Sequence, residues 1–275
     1  MVRNRATKHR SLTLMADYDA STYGERIADA YEHLLPAAIA ASTEATVEFL
    51  ASVAARPRAL ELGIGTGRIA IPLCERGFEV RGIDASPAMV KQLRAKKGGA
   101  SIRVEIGDFA DVRVRGKFPL VYVAWNTFFS LLTQEAQVRC FERVKSHLTS
   151  DGAFVISAFV PDLARYDRGQ RVGATHVALD ELNLEITQHD QAMQTVTSTQ
   201  LVISERRTRI YPVKLRYAFP PELDLMARLG GMRLRERFGG WLHEPYTAAS
   251  VSHVSVYELN PASTKHGSRP REPST

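Results

Sequence analysis

The sequence predicts an α/β protein built on a doubly wound, largely parallel sheet whose last strand runs antiparallel, with an antiparallel β insertion late in the chain. Three observations carry this. Short β-branched runs alternate with helical patterns as far as Phe159, alternating polar and apolar residues without helices follow, and one helix with two strands closes the chain. In order, the strands are expected at Arg58 to Leu62, Glu79 to Ile83, Ile102 to Ile106, Leu120 to Ala124 and Ala153 to Phe159. Helical spacings of apolar residues fall between most of them, at Arg68 to Arg76, Pro87 to Lys96 and Gln134 to Leu148. His176 to His189, Thr195 to Glu205 and Thr208 to Phe219 read as antiparallel strands of the insertion, a cap or dimer-forming layer over the strand ends. The helix PPELDLMARLGG opens with proline and stops at Gly230 and Gly231, and Arg233 to Phe238 and His253 to Leu259 then return to the core sheet.

This gives a division into a basic tail (1–16) and a core with N-terminal lid helices (17–160), then the insertion (161–212), the end of the core (213–259) and a second tail (260–275). Both tails are expected to be disordered: the last is rich in proline and serine and has no large apolar groups to bury. Much of the net charge of +6 sits in Arg3, Arg5, Lys8, Arg10, Lys265, Arg269 and Arg271, so it reads as solvated ends rather than as a nucleic-acid surface. The two cysteines, Cys74 and Cys140, are too few for a disulfide framework and are spaced for neither a metal site nor a redox pair, which favours a reducing, cytoplasmic setting. No apolar stretch is long enough to cross a bilayer.

The most informative stretch is ALELGIGTGRIAIPL, where a strand passes into a helix through Gly63, Gly65 and Gly67 and lets the backbone approach a ligand closely. A dinucleotide site would want another glycine where this chain has Arg68. Glu61 precedes the turn, and Asp84, 17 residues beyond Gly67, ends the second strand, where a carboxylate can accept from two ribose hydroxyls. Tyr23, Ile27, Tyr31 and Leu34 share one face of an N-terminal helical segment that must cover something.

With its ELGIGTG turn and strand-2 acid, the chain resembles the class I S-adenosylmethionine-dependent methyltransferases, a Rossmann-like family, over roughly residues 20 to 257. The resemblance implies S-adenosylmethionine as cofactor and S-adenosylhomocysteine as product. It places Gly63, Gly65 and Gly67 at the amino-acid part of the cofactor, Asp84 at the ribose and Met89 against the adenine, with Asp108 and Phe109 at the adenine edge and Ala85 and Gly107 as further cofactor candidates. Tyr18, Tyr23 and Arg26 are lid candidates near the carboxylate and sulfonium, and Glu61, Arg68 and Ala124 complete the candidate cofactor set.

Methyl transfer from a sulfonium is an in-line displacement, so the protein mainly aligns the reactants and excludes water. The end of strand 4, VYVAWNTFFSLL, lacks the NPPY-like motif of amino-methylating nucleic-acid enzymes and instead looks like natural-product methyltransferases, including those acting on amino-sugar nitrogens or peptide N-termini. Trp125, Asn126 and Phe128 from it, and Trp241 and Tyr246 from a later loop, are the candidate substrate contacts. Candidate bases or substrate contacts are Asn126, Arg216, Tyr217 and His253, with His33, His176, His189 and His243 behind them. The expected partner is a small molecule or short peptide, with nitrogen favoured over oxygen as acceptor and a homodimer possible. The competing readings are a nucleic-acid methyltransferase and a protein that binds the cofactor without turnover.

Overall fold

The computed structural model describes residues 18–35 and 37–261, so the disorder expected of both tails concerns residues largely outside the described ones. The chain opens with four helices, α1 (Thr22–Ile27), α2 (Tyr31–Leu34), α3 (Ala37–Ala41) and α4 (Thr43–Val53). The alternating core follows as β1 (Arg58–Leu62), α5 (Ala70–Glu75), β2 (Glu79–Asp84), α6 (Pro87–Ala95), β3 (Arg103–Ile106), β4 (Phe118–Val123), α7 (Gln134–His147) and β5 (Leu148–Phe159). A meander of β6 (Gln170–Val177), β7 (Glu181–Asp190), β8 (Thr195–Ser204) and β9 (Arg207–Arg216) comes next, and α8 (Pro220–Leu229), β10 (Met232–Phe238) and β11 (Ser252–Leu259) complete the chain.

The seven-stranded sheet has the order β10-β11-β5-β4-β1-β2-β3. β1 to β5 pair parallel and β11 runs antiparallel to both β5 and β10, as expected for the last strand. Strands buried on both faces read as apolar runs, and β4 is buried along its whole length. One face packs on α7 and α8 through Phe128, Phe141, Phe154 and Tyr257, with ring centroids 5.4 Å apart around Phe141. The other packs on α4 and α5 through Phe49, Leu50 and Leu73. The strand order reverses between β4 and β1, and open α/β sheets bind ligands at the carboxyl ends of the strands flanking such a point.

The second sheet, ordered β6-β7-β8-β9, is wholly antiparallel. The segment read as one strand from His176 to His189 is instead the end of β6, a turn at 178–180 and β7. β6 is an edge strand of mostly exposed residues, so burial left no apolar alternation in Gln170 to Thr175 to read. β9 extends to Arg216 and so straddles the 212/213 boundary. The Arg216 side chain holds this sheet to the core: it donates to Gln137 Oε1 (2.7 Å) on α7, to Gln194 Oε1 (3.1 Å) and to Glu222 Oε1 (2.8 Å) on α8.

Candidate active site

A cavity of about 330 Å³ opens at the switch point, walled by the turn after β1, the ends of β2 and β4, the N-terminal helices and the inner face of the second sheet. Its construction starts at the turn. Gly63 N and Ile64 N both donate to Ile83 O, at 2.8 and 3.1 Å, so the turn lies flat against the end of β2. Gly63 and Gly65 have φ of +70° and +54°, the left-handed region glycine adopts without penalty. A Cβ at Gly63 would stand 2.4 Å from Thr127 Cγ2, so the turn and the end of β4 touch only because the side chain is a hydrogen.

Asp84 closes the turn, accepting from Gly65 N at Oδ2 (2.7 Å) and from Ser86 N at Oδ1 (2.8 Å). Each oxygen keeps a lone pair for a further donor. Burial pushes its pKa up, and the two backbone N–H groups pull it down. Beneath the turn lies Glu61, 5% exposed, whose Oε2 accepts from Tyr122 OH at 2.8 Å. Burial raises its pKa to about 8 against the lowering effect of Tyr122 and Arg68, so the free protein carries this carboxyl protonated at neutral pH.

The N-terminal helices are fastened over the turn by carboxylates. Glu25 Oε1 accepts from Ser86 Oγ (2.7 Å) and Ala88 N (3.0 Å) at the start of α6, and Glu32 accepts from Thr66 Oγ1 (2.6 Å) and pairs with Lys96. Tyr18 OH accepts from Lys214 N of β9 at 3.1 Å, which ties the entry of the chain to the second sheet. Tyr23, Ile27, Tyr31 and Leu34 all face the cavity, as one helical face requires, although the helix breaks into α1 and α2 between them.

At the end of β4, Trp125 and Asn126 both have left-handed backbones, with φ of +58° and +69°. Neighbouring groups hold this uncommon pair in place. Trp125 N donates to Ser157 Oγ (2.8 Å), Asn126 N to Ser157 O (3.0 Å), and Asn126 Oδ1 accepts from Phe159 N (2.7 Å). With its oxygen engaged, Asn126 has its amide N–H groups left for the cavity.

Of the residues singled out in the sequence, the cavity wall contains Tyr18, Tyr23, Glu61, Gly63, Gly65, Arg68, Asp84, Ala85, Met89, Asp108, Phe109, Ala124, Trp125 and Asn126. The others lie off it. Arg26 points to solvent, and Gly107 donates its N–H to Asp84 O. Gly67 is a packing glycine, since a Cβ there would come within 2.1 Å of Leu93 Cδ1. Phe128 is fully buried on the α7 side of the sheet, and Trp241 sits behind Trp125 with ring centroids 6.1 Å apart. Tyr246 lies against Arg237, and Arg216 belongs to the network already described. Tyr217 OH meets His189 Nε2 at 2.8 Å. His253 is fully buried on β11, its pKa lowered to about 3 by burial and by Arg237, so it stays neutral. His33, His176 and His243 are exposed and also lie off the wall.

The sequence reading passed over Thr127, Ser130 and Leu131 just past β4, and Gln200, Val213 and Leu215 on the second sheet. The last three stand on the inward-facing rows of β8 and β9, where Gln200 pairs with Tyr211 and Ser198 with Val213. Their alternation is visible in the sequence, but not which face turns toward the cavity.

The comparisons with known proteins agree with this geometry. Residues 59–152, from β1 into β5, match the family described as "Methyltransferase domain". The CcbJ methyltransferase from Streptomyces caelestis superposes with a TM-score of 0.82 at 36% identity, covering 88% of this chain and 100% of that one. The cypemycin N-terminal methyltransferase of Streptomyces sp is 29% identical over 200 residues, 72% of this chain and 82% of that protein. The sugar N-methyltransferase KedS8 from Streptoalloteichus sp ATCC 53650 shares the fold, with a TM-score of 0.63 at 16% identity over 88% of this chain and 95% of that one.

Fold and site thus define a Rossmann-like methyltransferase. The chain belongs to the S-adenosylmethionine-dependent methyltransferases, and S-adenosylmethionine is its cofactor. The residues fit that group: a turn whose glycines lack side chains, a carboxylate with lone pairs to spare and an acid-rich wall suit a nucleoside carrying a sulfonium and an ammonium.

Proposed function

We propose that this enzyme methylates a neutral amine nitrogen on a small molecule or short peptide of the natural-product kind, leaving S-adenosylhomocysteine. The observation that carries the reading is the make-up of the wall beyond Asn126. The stretch just past β4 and the second sheet contribute Thr127, Ser130, Leu131, Gln200, Val213 and Leu215, all neutral side chains, while Tyr18 and Asp19 line the same cavity from the entry of the chain. An amine presents a lone pair once unprotonated, and after attack water can take its proton. A hydroxyl needs a positioned base before or during attack, and these two elements supply amides, hydroxyls and hydrocarbon instead. The bound cofactor contributes the electrophilic methyl group on its sulfonium.

The chain's own residues then have distinct tasks. Asp84 holds the ribose, Met89 packs on the adenine, and Asp108 with Phe109 borders the adenine edge. Asn126, oriented by Phe159 N, offers its N–H groups to the acceptor or to the cofactor amine, while Ser130 and Gln200 hold the acceptor by hydrogen bonds. The N-terminal helices and the second sheet exclude water. The cypemycin enzyme's printed activity on a peptide N-terminus and KedS8's on a sugar nitrogen are in keeping with an amine acceptor.

The outer face of the second sheet carries exposed Val172, Ile186 and Ile210, an apolar patch that suits pairing with a second copy, and light scattering on the purified chain checks this. The free cysteines Cys74 and Cys140 suit a reducing, cytoplasmic setting. The main proposal is tested by incubating the enzyme and isotope-labelled methyl donor with matched amines and alcohols: secondary amines, amino sugars and peptide α-amines against their hydroxyl counterparts. Enzyme-dependent label in the amines alone is expected, and label confined to the alcohols overturns the reading.

A further inference from the structure

The chain enters β6 through RYDRGQR, which sets arginines at positions 165, 168 and 171. All three side chains line one open recess of about 430 Å³, together with Asp167, Gln170 and Val172 and apart from the cavity at the switch point. Arg165 and Arg171 approach the same carboxylate oxygen, Glu185 Oε2, at 3.8 and 3.2 Å, and Glu185 Oε1 accepts from Ser198 Oγ at 3.0 Å. One acid thus stands between two guanidiniums with five N–H groups each, and most of those donors are left for another acceptor. The segment is firmly seated. Leu163 and Tyr166 pack on the core, Tyr166 stacks on His189 with ring centroids 4.5 Å apart, and His189 Nε2 meets Tyr217 OH at 2.8 Å.

Arg168 is the odd member. With Gly169 it forms a two-residue turn, closed by Asp167 N to Gln170 O and Gln170 N to Asp167 O at 2.9 Å each. Both turn residues have left-handed backbones, with φ of +49° and +77°. Such a turn ordinarily opens with Asn, Asp or Gly, because other side chains are strained there. Arg168 has no hydrogen-bond or ion-pair partner among the described residues, so no side-chain contact within the chain offsets the strain. Strain kept at one residue points to a use for its side chain outside the chain.

The recess also has a fixed relation to the cavity. Gln200 of the cavity wall pairs with Glu185, Glu185 pairs with Gly173, and Arg171 stands two residues along β6 from Gly173, on the same face of the sheet. Two strand spacings put the recess about 10 Å across the sheet from Gln200.

We infer that this recess binds an anionic group, a carboxylate or a phosphate, carried by the acceptor molecule about 10 Å or more from the nitrogen that takes the methyl group. Arg168 and Arg171 make the contact, and Glu185 holds Arg165 and Arg171 in place for it. Planar guanidiniums match the paired oxygens of either anion. The inference rests on the reading of the acceptor as an amine that reaches Gln200.

Pyrophosphate titrated into the enzyme with S-adenosylhomocysteine present tests the recess by itself. Arg168→Gly suits the left-handed turn, so the variant should keep its melting midpoint while pyrophosphate binding weakens by about tenfold, the scale of lost charge-assisted hydrogen bonds. No binding to the wild type, or equal affinity in the two proteins, overturns the inference. Label transfer tests the reach on two scaffolds: a tripeptide as its amide, its free acid or an amide ending in phosphoserine, and an amino sugar with and without a diphosphate at its far end. The anionic form of at least one scaffold should have a KM lower by about tenfold, and Arg168→Gly should bring it within about twofold of the neutral form. The form that responds identifies carboxylate or phosphate. Failure of both scaffolds to favour an anionic form overturns the inference. Label confined to alcohols overturns the amine reading instead, and pyrophosphate binding still judges the recess.

Discussion

The two walls of the cavity are made in different ways. The cofactor wall is a product of local sequence: β1, its turn and β2 bring Gly63, Gly65 and Asp84 together within about twenty residues, and backbone N–H groups do much of the holding. The wall we assign to the acceptor is assembled from the end of β4 and from strands some seventy residues further on, and those elements present neutral side chains. The first wall therefore depends on glycine and an acid at fixed offsets, whereas the second is drawn from elements that meet only in the folded chain.

The sharpest way to break the contrast is to loosen one wall alone. Arg216→Met leaves Glu222 half-buried without its cation and unfastens the second sheet from α7 and α8. Loss of one partner of a buried pair costs about 3 kcal/mol or more. The thermal midpoint should fall by several degrees and the acceptor KM rise, while cofactor affinity measured below the transition holds. An unchanged midpoint would show that the network is not what anchors the sheet.

Next in size is Asp84→Ala on the other wall, which should weaken cofactor binding by about 1–3 kcal/mol, the scale of a lost charged acceptor. Calorimetry that gives the wild-type affinity contradicts the ribose assignment.

Glu61 probes the same wall through pH. Its folded pKa, about 8, lies above the ordinary 4.5, so the protonated carboxyl favours the folded state. That contribution is complete below pH 4.5 and is lost as pH rises through 8, at a slope of at most about 1.4 kcal/mol per pH unit. Glu61→Gln cannot titrate, so the variant should gain stability relative to wild type between those limits. Parallel melting-temperature profiles for the two cofactor-free proteins would contradict it.

The smallest effect is expected at Gln200→Ala, worth about 1 kcal/mol as one neutral hydrogen bond: a severalfold rise in acceptor KM with cofactor affinity unchanged. A change in cofactor affinity instead would mean that the second sheet reaches across to the first wall.

The same contrast explains how much of the molecule could be read in advance. The core strands and the helices between them were legible because buried parallel strands are continuous apolar runs, and ELGIGTG with Asp84 was legible because one turn needs glycine and an acid at fixed offsets. β6 was not, because an exposed edge strand has no buried face to show. Gln200, Val213 and Leu215 escaped because their role depends on which side of a meander turns inward, decided by contacts distant in sequence such as Tyr18 with Lys214. His253 and Tyr217 drew attention as titratable residues near strand ends, and their burial gives them structural partners instead. Trp241, a candidate substrate contact by sequence, stands one layer behind, where a ring supports another ring.

Glu25 grips the first turn of the very helix that begins three residues after Asp84. Were the N-terminal helices to move away from α6, Ala88 N and Ser86 Oγ would lose their acceptor and the loop after Asp84 would lose a brace. The grip of Glu25 thus ties the seating of the N-terminal helices to the loop that Asp84 anchors.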